Sequence, residues 1–201
     1  MSDGETNRAS RRSPADDEFD RELLKLVEAG DRNALTALYG RYHGSILRFV
    51  QRLTGDIETA QEAVNDVMLV VWTRAGTFAG KSKVSTWIMG IAYRKAMKLG
   101  TRLQRWTVRF KAADWTEVVE RTAALEGQTN RLIEQDLMYR AVQLLPPKQR
   151  AVVELTYVYG YSYEEISEIV GCPANTVKTR MFHARARLKE LLPRLGYDFR
   201  D

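Results

Sequence analysis

Apolar residues recur at spacings of three and four along most of the chain, and the recurrence is interrupted mainly at glycines, prolines and capping residues. Residues 1–18 are polar and charged with no apolar period, which predicts a disordered tail. Leu23, Leu26 and Val27 predict a helix from Phe19 to Ala29, ended by Gly30. Asn33 is placed to cap a longer helix whose face carries Leu35, Leu38, Tyr42, Ile46, Phe49 and Leu53, with Gly55 as its stop. Asp56 caps a third, with Ala60, Val64, Val67 and Val71 on one side. A loop from Gly76 to Lys83 leads to a fourth helix starting at Ser85. It has two stripes, an apolar one of Ile88, Ala92, Ala96, Leu99 and Leu103, and a cationic one of Arg94, Lys98, Arg102 and Arg105.

The period weakens over 106–129, which reads as a linker with some local helix. A second block opens near Asn130, where Leu132, Ile133, Leu137, Val142 and Leu145 lead to a stop at Pro146-Pro147. Further helices are predicted from Lys148 to Tyr159, ended by Gly160, and from Ser162, which has capping-box spacing to Glu165. Gly171 and Pro173 make the next turn, and a last helix runs from Asn175 to Leu192, before Pro193. No strand pattern of convincing length is present. The chain reads as all-α, with two small helical domains at 19–105 and 130–195.

Composition narrows the chemistry. Lys and Arg outnumber Asp and Glu by 31 to 26, a modest excess, but its placement is uneven. Arg94–Lys111 holds seven Lys or Arg and no acid, and Cys172–Lys189 holds five and no acid. Two such blocks fit two phosphate-tracking surfaces, and charge alone fits two solvated helix faces equally well. Cys172 is the single cysteine, and His43 and His183 stand far apart, so neither an internal disulfide nor a zinc site is expected. The longest apolar run, Val67 to Trp72, is too short to span a membrane, and the N-terminus lacks a signal-peptide core. These features predict a reduced, cytoplasmic protein without membrane insertion, metal or cofactor. Paired carboxylates in a plausible site and a nucleophile with its base are also missing, which argues against an enzyme.

Ser162–Leu192 carries the sharpest signal. A short capped helix, a tight turn and a longer basic helix form a helix-turn-helix. Val177, Met181, Ala184 and Leu188 recur on one face and should pack inward, while small Ser167 and Gly171 would let the two helices approach. The outward side presents Lys178, Thr179, Phe182 and His183, residue types that can read base edges in the major groove. Arg180, Arg185, Arg187 and Lys189 flank them as candidates for phosphate contacts. In the front half, the loop GTFAGKS (Gly76 to Ser82) imitates a phosphate-binding loop. It has three residues between the outer glycine and the Gly-Lys pair where four are needed, and a helix precedes it instead of a strand. It makes better sense as a cationic hairpin bearing Lys81 and Lys83. Trp87 and Tyr93 beside the basic stripe are ingredients of single-strand binding, with Trp87 either core or a partly exposed wedge.

The stretches "ETAQEAVNDVMLVVW", "TFAGKSKVSTWIMGIAYRKA", "LPPKQRAVVEL" and "GYSYEEISEIVGCPANTVKTRMFHARARLKELL", in that order, resemble bacterial sigma factors of the extracytoplasmic-function group. Ala34–Gln104 is similar to their region 2 and Asp136–Leu192 to their region 4. The resemblance implies a non-enzymatic protein that binds core RNA polymerase, at its β′ clamp helices and β flap, and directs it to promoters. The positions matching the polymerase-docking helix are Glu62, Asn65, Asp66, Met68 and Trp72. The loop Gly80–Lys83 and the following helix would open the −10 element and capture a flipped base, through Lys81, Ser82, Lys83, Trp87, Arg94, Lys95, Lys98 and Arg102. Region 4 would read the −35 element as duplex, and an anti-sigma protein would regulate both surfaces. Tyr93-Arg94 stands where relatives often carry Arg-Asn, and Lys98 where Asp is frequent, so the −10 preference does not transfer. Asn65-Asp66 replaces a commoner Gln-Glu pair and keeps one acid. The competing reading is a conventional repressor or activator, which would need a dimerisation or ligand domain.

Overall fold

The computed structural model describes residues 13–110 and 130–197; for 101–110 and 130–135 it describes the helical backbone alone. Residues 1–12, most of the expected tail, and 111–129, most of the expected linker, lie outside the described residues. Every regular element among the described residues is helical.

The front bundle begins earlier than its apolar period suggested. Helix α1 spans Pro14–Glu28, with Pro14 in its first turn and Ser13 as an N-cap locked in a capping box with Asp16. Residues 14–18 are therefore helix, not tail. The signal was polar: a Ser-Pro start with acids in the first turn, where the helix dipole favours them. Those hydrogen bonds from Ser13 hold the Asp16 carboxyl below its usual range, with help from Arg41. Helix α2 (Arg32–Thr54) is capped by Asp31, not Asn33; its carboxylate accepts from the amides of Asn33 (2.7 Å) and Ala34 (3.2 Å). Helix α3 (Ile57–Arg74) is capped by Asp56 as expected. A 3-10 turn over Ala75–Thr77 and the loop to Lys83 precede α4, Val84–Phe110. The long α4 thus carries through 106–110, a stretch expected to be linker.

Leu38, Ile46 and Phe49 of α2, Ala60, Val67 and Val71 of α3, and Ile88 and Ala92 of α4 are fully buried, which matches the periodic face read from each segment. Burial of this kind contributes roughly 1.5–3 kcal/mol per large side chain and is the main source of stability here. Among the polar groups buried here, one is a carboxylate. Asp20 is fully buried, accepting from the Tyr42 hydroxyl and from Arg41 Nε at 2.6 Å.

The rear bundle comprises α5 (Asn130–Gln143), α6 (Pro147–Tyr157), α7 (Tyr163–Val170) and α8 (Ala174–Arg194). Pro147 opens α6 at a position where its missing N–H costs nothing. Ser162 and Glu165 form the capping box that their spacing indicated, with the Glu165 amide 3.2 Å from Ser162 Oγ. Ser162→Ala should cost about 1 kcal/mol, read as a fall of about 2–4 °C in the thermal midpoint by circular dichroism. Gly171 turns the chain with φ +67, and no atom lies within 4 Å of where its side chain would be. Its role is therefore the left-handed turn, not close approach of the two helices. Pro193 sits inside the last turn of α8 instead of ending it, because its missing N–H there removes a single hydrogen bond.

The two bundles pack face to face. Helix α6 lies against α2, where Arg52 Nη1 meets Glu154 Oε2 at 3.2 Å and the Tyr159 hydroxyl donates to the Ser45 carbonyl at 2.9 Å. The Tyr159 ring meets Phe49 edge-on, and Arg150 donates to the carbonyls of Arg52 and Leu53 that close α2. Helix α7 lies over α4, with the Ile169 backbone 3.6–3.7 Å from where a side chain at Gly90 would start, and Lys83 Nζ pairs with Glu165 Oε1 at 2.8 Å. Burial pushes the Glu165 carboxyl up, but hydrogen bonds from Lys83 and from the Ser162 amide outweigh it and hold the group below its usual range.

Candidate nucleic-acid interface

In the rear bundle, the apolar stripe Val177, Met181 and Ala184 is buried and Leu188 packs against the same core. This rotates Lys178, Thr179, Phe182 and His183 outward together. Phe182 is 69% exposed, with its ring edge-to-face on His183 at 5.6 Å. A phenylalanine this open, on the first half of a basic helix, presents an apolar surface of the size a thymine methyl would meet. Thr179 donates its hydroxyl to the Asn175 carbonyl at 2.9 Å, so its methyl group and lone pairs are what remain for a ligand.

The four flanking cations do not form one set. Arg187 and Lys189 are exposed, and Arg185 is steered by the Tyr157 hydroxyl, to which its Nη2 donates at 2.6 Å. Arg180 is different. It lies half-buried towards Tyr93 of α4, in the seam between the bundles, and is not presented as a phosphate contact in this arrangement. The cause is helical phase: position 180 falls between the buried stripe and the open face, on the side that the front bundle covers. Tyr93 is itself buried, which raises its hydroxyl pKa and removes its ring as a stacking platform. Cys172, half-buried in the turn, carries a free thiol.

In the front bundle, a cavity of about 270 Å³ opens between α3 and α4, lined by Val70, Arg74, Thr77, Trp87, Ile91, Arg94, Lys95 and Lys98. Trp87 forms part of its apolar wall and leans on Phe78, with ring centres 5.6 Å apart. The wedge and core readings of Trp87 are both partly right, since it is half-buried against the core and faces the cavity. Arg94, Lys95 and Lys98 were expected on this face. Arg74 and Thr77, from the end of α3 and the 3-10 turn, were not, because only the tertiary fold brings them opposite α4. Lys81 is exposed at the tip of the loop, Ser82 is half-buried, and Lys83 is engaged by Glu165. The side chain of Arg102, with Arg105, lies outside the described residues.

Helix α3 supplies another surface. Glu62 and Asn65 are exposed, and Asp66 is half-exposed and paired with Lys95 at 2.7 Å. Met68 is 5% exposed and packed inward. The adjacent Leu69, at 60% exposed, holds the open position instead. Sequence spacing contained this answer: Asn65 and Leu69 are four apart on one face, and Val64, Met68 and Val71 share the buried one. Trp72 is half-buried against the core. Among the described residues no group of three or more metal-ligating side chains exists, and no helix is long and apolar enough to cross a membrane.

Comparison with known proteins identifies the family. Residues 38–107 match the model of Sigma-70 region 2 and residues 135–188 that of Sigma-70, region 4. The chain is 34% identical to the ECF RNA polymerase sigma factor SigM of Mycobacterium tuberculosis over 175 residues, covering 86% of this chain and 84% of that protein. It is 27% identical to the RNA polymerase sigma-H factor of Pseudomonas aeruginosa, over 87% of this chain and 94% of the relative. Its fold is similar to that of CnrH, solved in complex with the cytosolic domain of CnrY (TM-score 0.63, 20% identity, 87% of this chain and 97% of the other). A likeness of the same kind holds to the sigma factor RpoE in complex with the anti-sigma factor NepR from Bartonella quintana (TM-score 0.55, 23% identity, 88% of this chain and 97% of the other). With both regions matched in order across two helical bundles, the chain belongs to the extracytoplasmic-function sigma factors.

Proposed function

We propose that this sigma factor works as a non-enzymatic cytoplasmic protein that docks on core RNA polymerase, reads duplex promoter DNA with α8 and holds a separated strand in the cavity between α3 and α4. The observation that carries the reading is the contrast between its two cationic surfaces. One is a convex helix with an open aromatic, suited to a groove; the other is a concave site with an indole wall and Arg74, Arg94, Lys95 and Lys98 around it, suited to an unstacked base and its phosphates. Opening promoter DNA costs about 1.4 kcal/mol per stacked step, more than two small bundles can offset alone. Polymerase supplies the remaining contacts, and joining two weak readers raises the effective concentration of each for the other. Glu62, Asn65, Asp66, Leu69 and Trp72 on α3 form the polymerase-facing surface. Two solved proteins of similar fold are complexes, one with the cytosolic domain of CnrY and one with the anti-sigma factor NepR, and an anti-sigma protein is the expected inhibitor here.

The division within α8 is testable on a promoter library with the reconstituted holoenzyme. Lys178→Ala should change which −35 sequences are used, with a discrimination loss of about 1–3 kcal/mol at one base pair. Arg185→Ala should weaken all promoters to a similar degree and reduce the salt slope by about one. Equal losses on every sequence in both variants would contradict the assignment.

A further inference from the structure

The segment before residue 38 lies outside the match to region 2, yet α1 grips the loop between α3 and α4 along its whole length. Three residues at helical spacing do so from one face. Asp17 Oδ1 accepts from the Val84 amide at 2.8 Å, which caps the start of α4 in place of any residue of the loop itself. Asp17 Oδ2 accepts from Arg21 Nε at 2.8 Å and so orients the guanidinium. Arg21 then donates to the Ser82 carbonyl through Nη2 at 2.7 Å and to the Gly80 carbonyl through Nη1 at 3.3 Å, and it stacks over the Phe78 ring at 5.4 Å. Phe78 in turn leans on Trp87, the cavity wall. At the near end of the loop, a side chain at Gly76 would come within 2.6 Å of Glu28 Oε1. Gly80 sits at φ +69, where a residue with a side chain would be strained.

A planar, doubly donating cation is the right device for this task. A guanidinium presents its donors in a fixed planar fork, so it can bond two alternate carbonyls and stack flat on an aromatic at once, whereas an ammonium has no plane to stack. The carbonyls of Gly80 and Ser82 bracket Lys81 and lead into Lys83, so fixing them fixes where both lysines leave the backbone. Through Phe78 the same contact also braces Trp87.

We infer that Asp17 and Arg21 are positioning residues for strand capture: they hold the loop in the shape that presents Lys81 to the separated strand, sets where Lys83 leaves the backbone and keeps Trp87 against the cavity. The inference rests on the proposed −10 role of that loop and cavity. The two parts can fail separately.

The test uses the full chain with core polymerase and promoters randomised across the −10 element. Arg21→Ala should lower initiation about tenfold, the equilibrium equivalent of one charge-assisted hydrogen bond. It should also flatten base preference at the captured position while leaving affinity for core enzyme and −35 preference intact. Arg21→Lys should recover charge but little preference. Asp17→Asn, which keeps an acceptor for Val84, should give an intermediate loss and serves if Arg21→Ala proves unstable. Amide exchange at Val84 and in the 79–83 loop should speed up in each. The parallel control is the double variant Lys81→Ala/Lys83→Ala. If the control alters −10 preference and the Arg21 and Asp17 variants do not, or if they reduce every promoter evenly, the positioning role is overturned. If the control itself leaves −10 preference unchanged, the −10 reading of the loop has failed instead.

Discussion

Arg52→Ala is expected to separate the two bundles at neutral pH, at a cost of about 3 kcal/mol to the closed arrangement. The pair it breaks is lopsided: the Glu154 side chain is 2% exposed and that of Arg52 35%. Removing the arginine strands a buried carboxylate with only the charge of Arg150 nearby, whereas Glu154→Gln leaves a guanidinium that water can reach. The second change should therefore cost clearly less than the first. Burial raises the Glu154 carboxyl above its ordinary value even with both arginines present. Its contribution to closure is thus fully present below the unfolded carboxylate range, about pH 4.3, and is lost as pH rises through the raised folded value. Compactness of Arg52→Ala should accordingly recover on mild acidification. Glu165 runs the other way, because its carboxyl is held low: the tie to Lys83 is present above the ordinary carboxylate range and weakens as pH falls through the lowered value. Small-angle scattering across pH checks this. An unchanged radius of gyration in Arg52→Ala at neutral pH would contradict it.

Leu69→Arg should produce the largest functional loss of any surface substitution. Leu69 stands open on the proposed docking helix beside Glu62 and Asn65, and burying a charge there in place of an apolar contact should cost about 2–4 kcal/mol, or roughly 30- to 1,000-fold in affinity for core enzyme. Because the side chain is 60% exposed and the substitution extends into solvent, the thermal midpoint should hardly move. Met68→Ala should do the reverse. It truncates a packed side chain, costs about 2–3 kcal/mol of stability, and affects polymerase binding only through folding. Pull-down of core enzyme, together with thermal unfolding of both variants, separates the two.

The helical architecture was legible because periodicity and capping agree at nearly every boundary: Ser162 with Glu165, Asp56 with Thr59, Gly55 and Gly171 in left-handed turns. Boundaries failed where polar chemistry outweighed apolar period, as at Ser13-Pro14 and at Asp31, whose carboxylate reaches two amides that Asn33 cannot. The open face of α8 was legible for the same reason as its buried stripe, since one fixes the other. What sequence could not supply was contact between distant segments. Glu154 looks like an ordinary surface acid in "RAVVELTY", yet it is buried against Arg52 about a hundred positions away. Arg180 looks like another groove-flanking cation, and Tyr93 like a stacking ring, until the rear bundle is laid on α4. Met68 is a different case. Its burial follows from the phase set by Val64 and Val71, so it was legible in the spacing alone.

In the proposed complex the concave site holds an opened strand while α8 stays on intact duplex. A promoter carrying a fluorescent adenine analogue within the −10 element, mixed with core polymerase and this chain, reports unstacking of that base. The expected result is a fluorescence rise that requires both proteins and falls sharply with Trp87→Ala or Lys98→Ala, while protection of the −35 duplex persists. A full rise with those variants, or an equal rise from core polymerase alone, would contradict it.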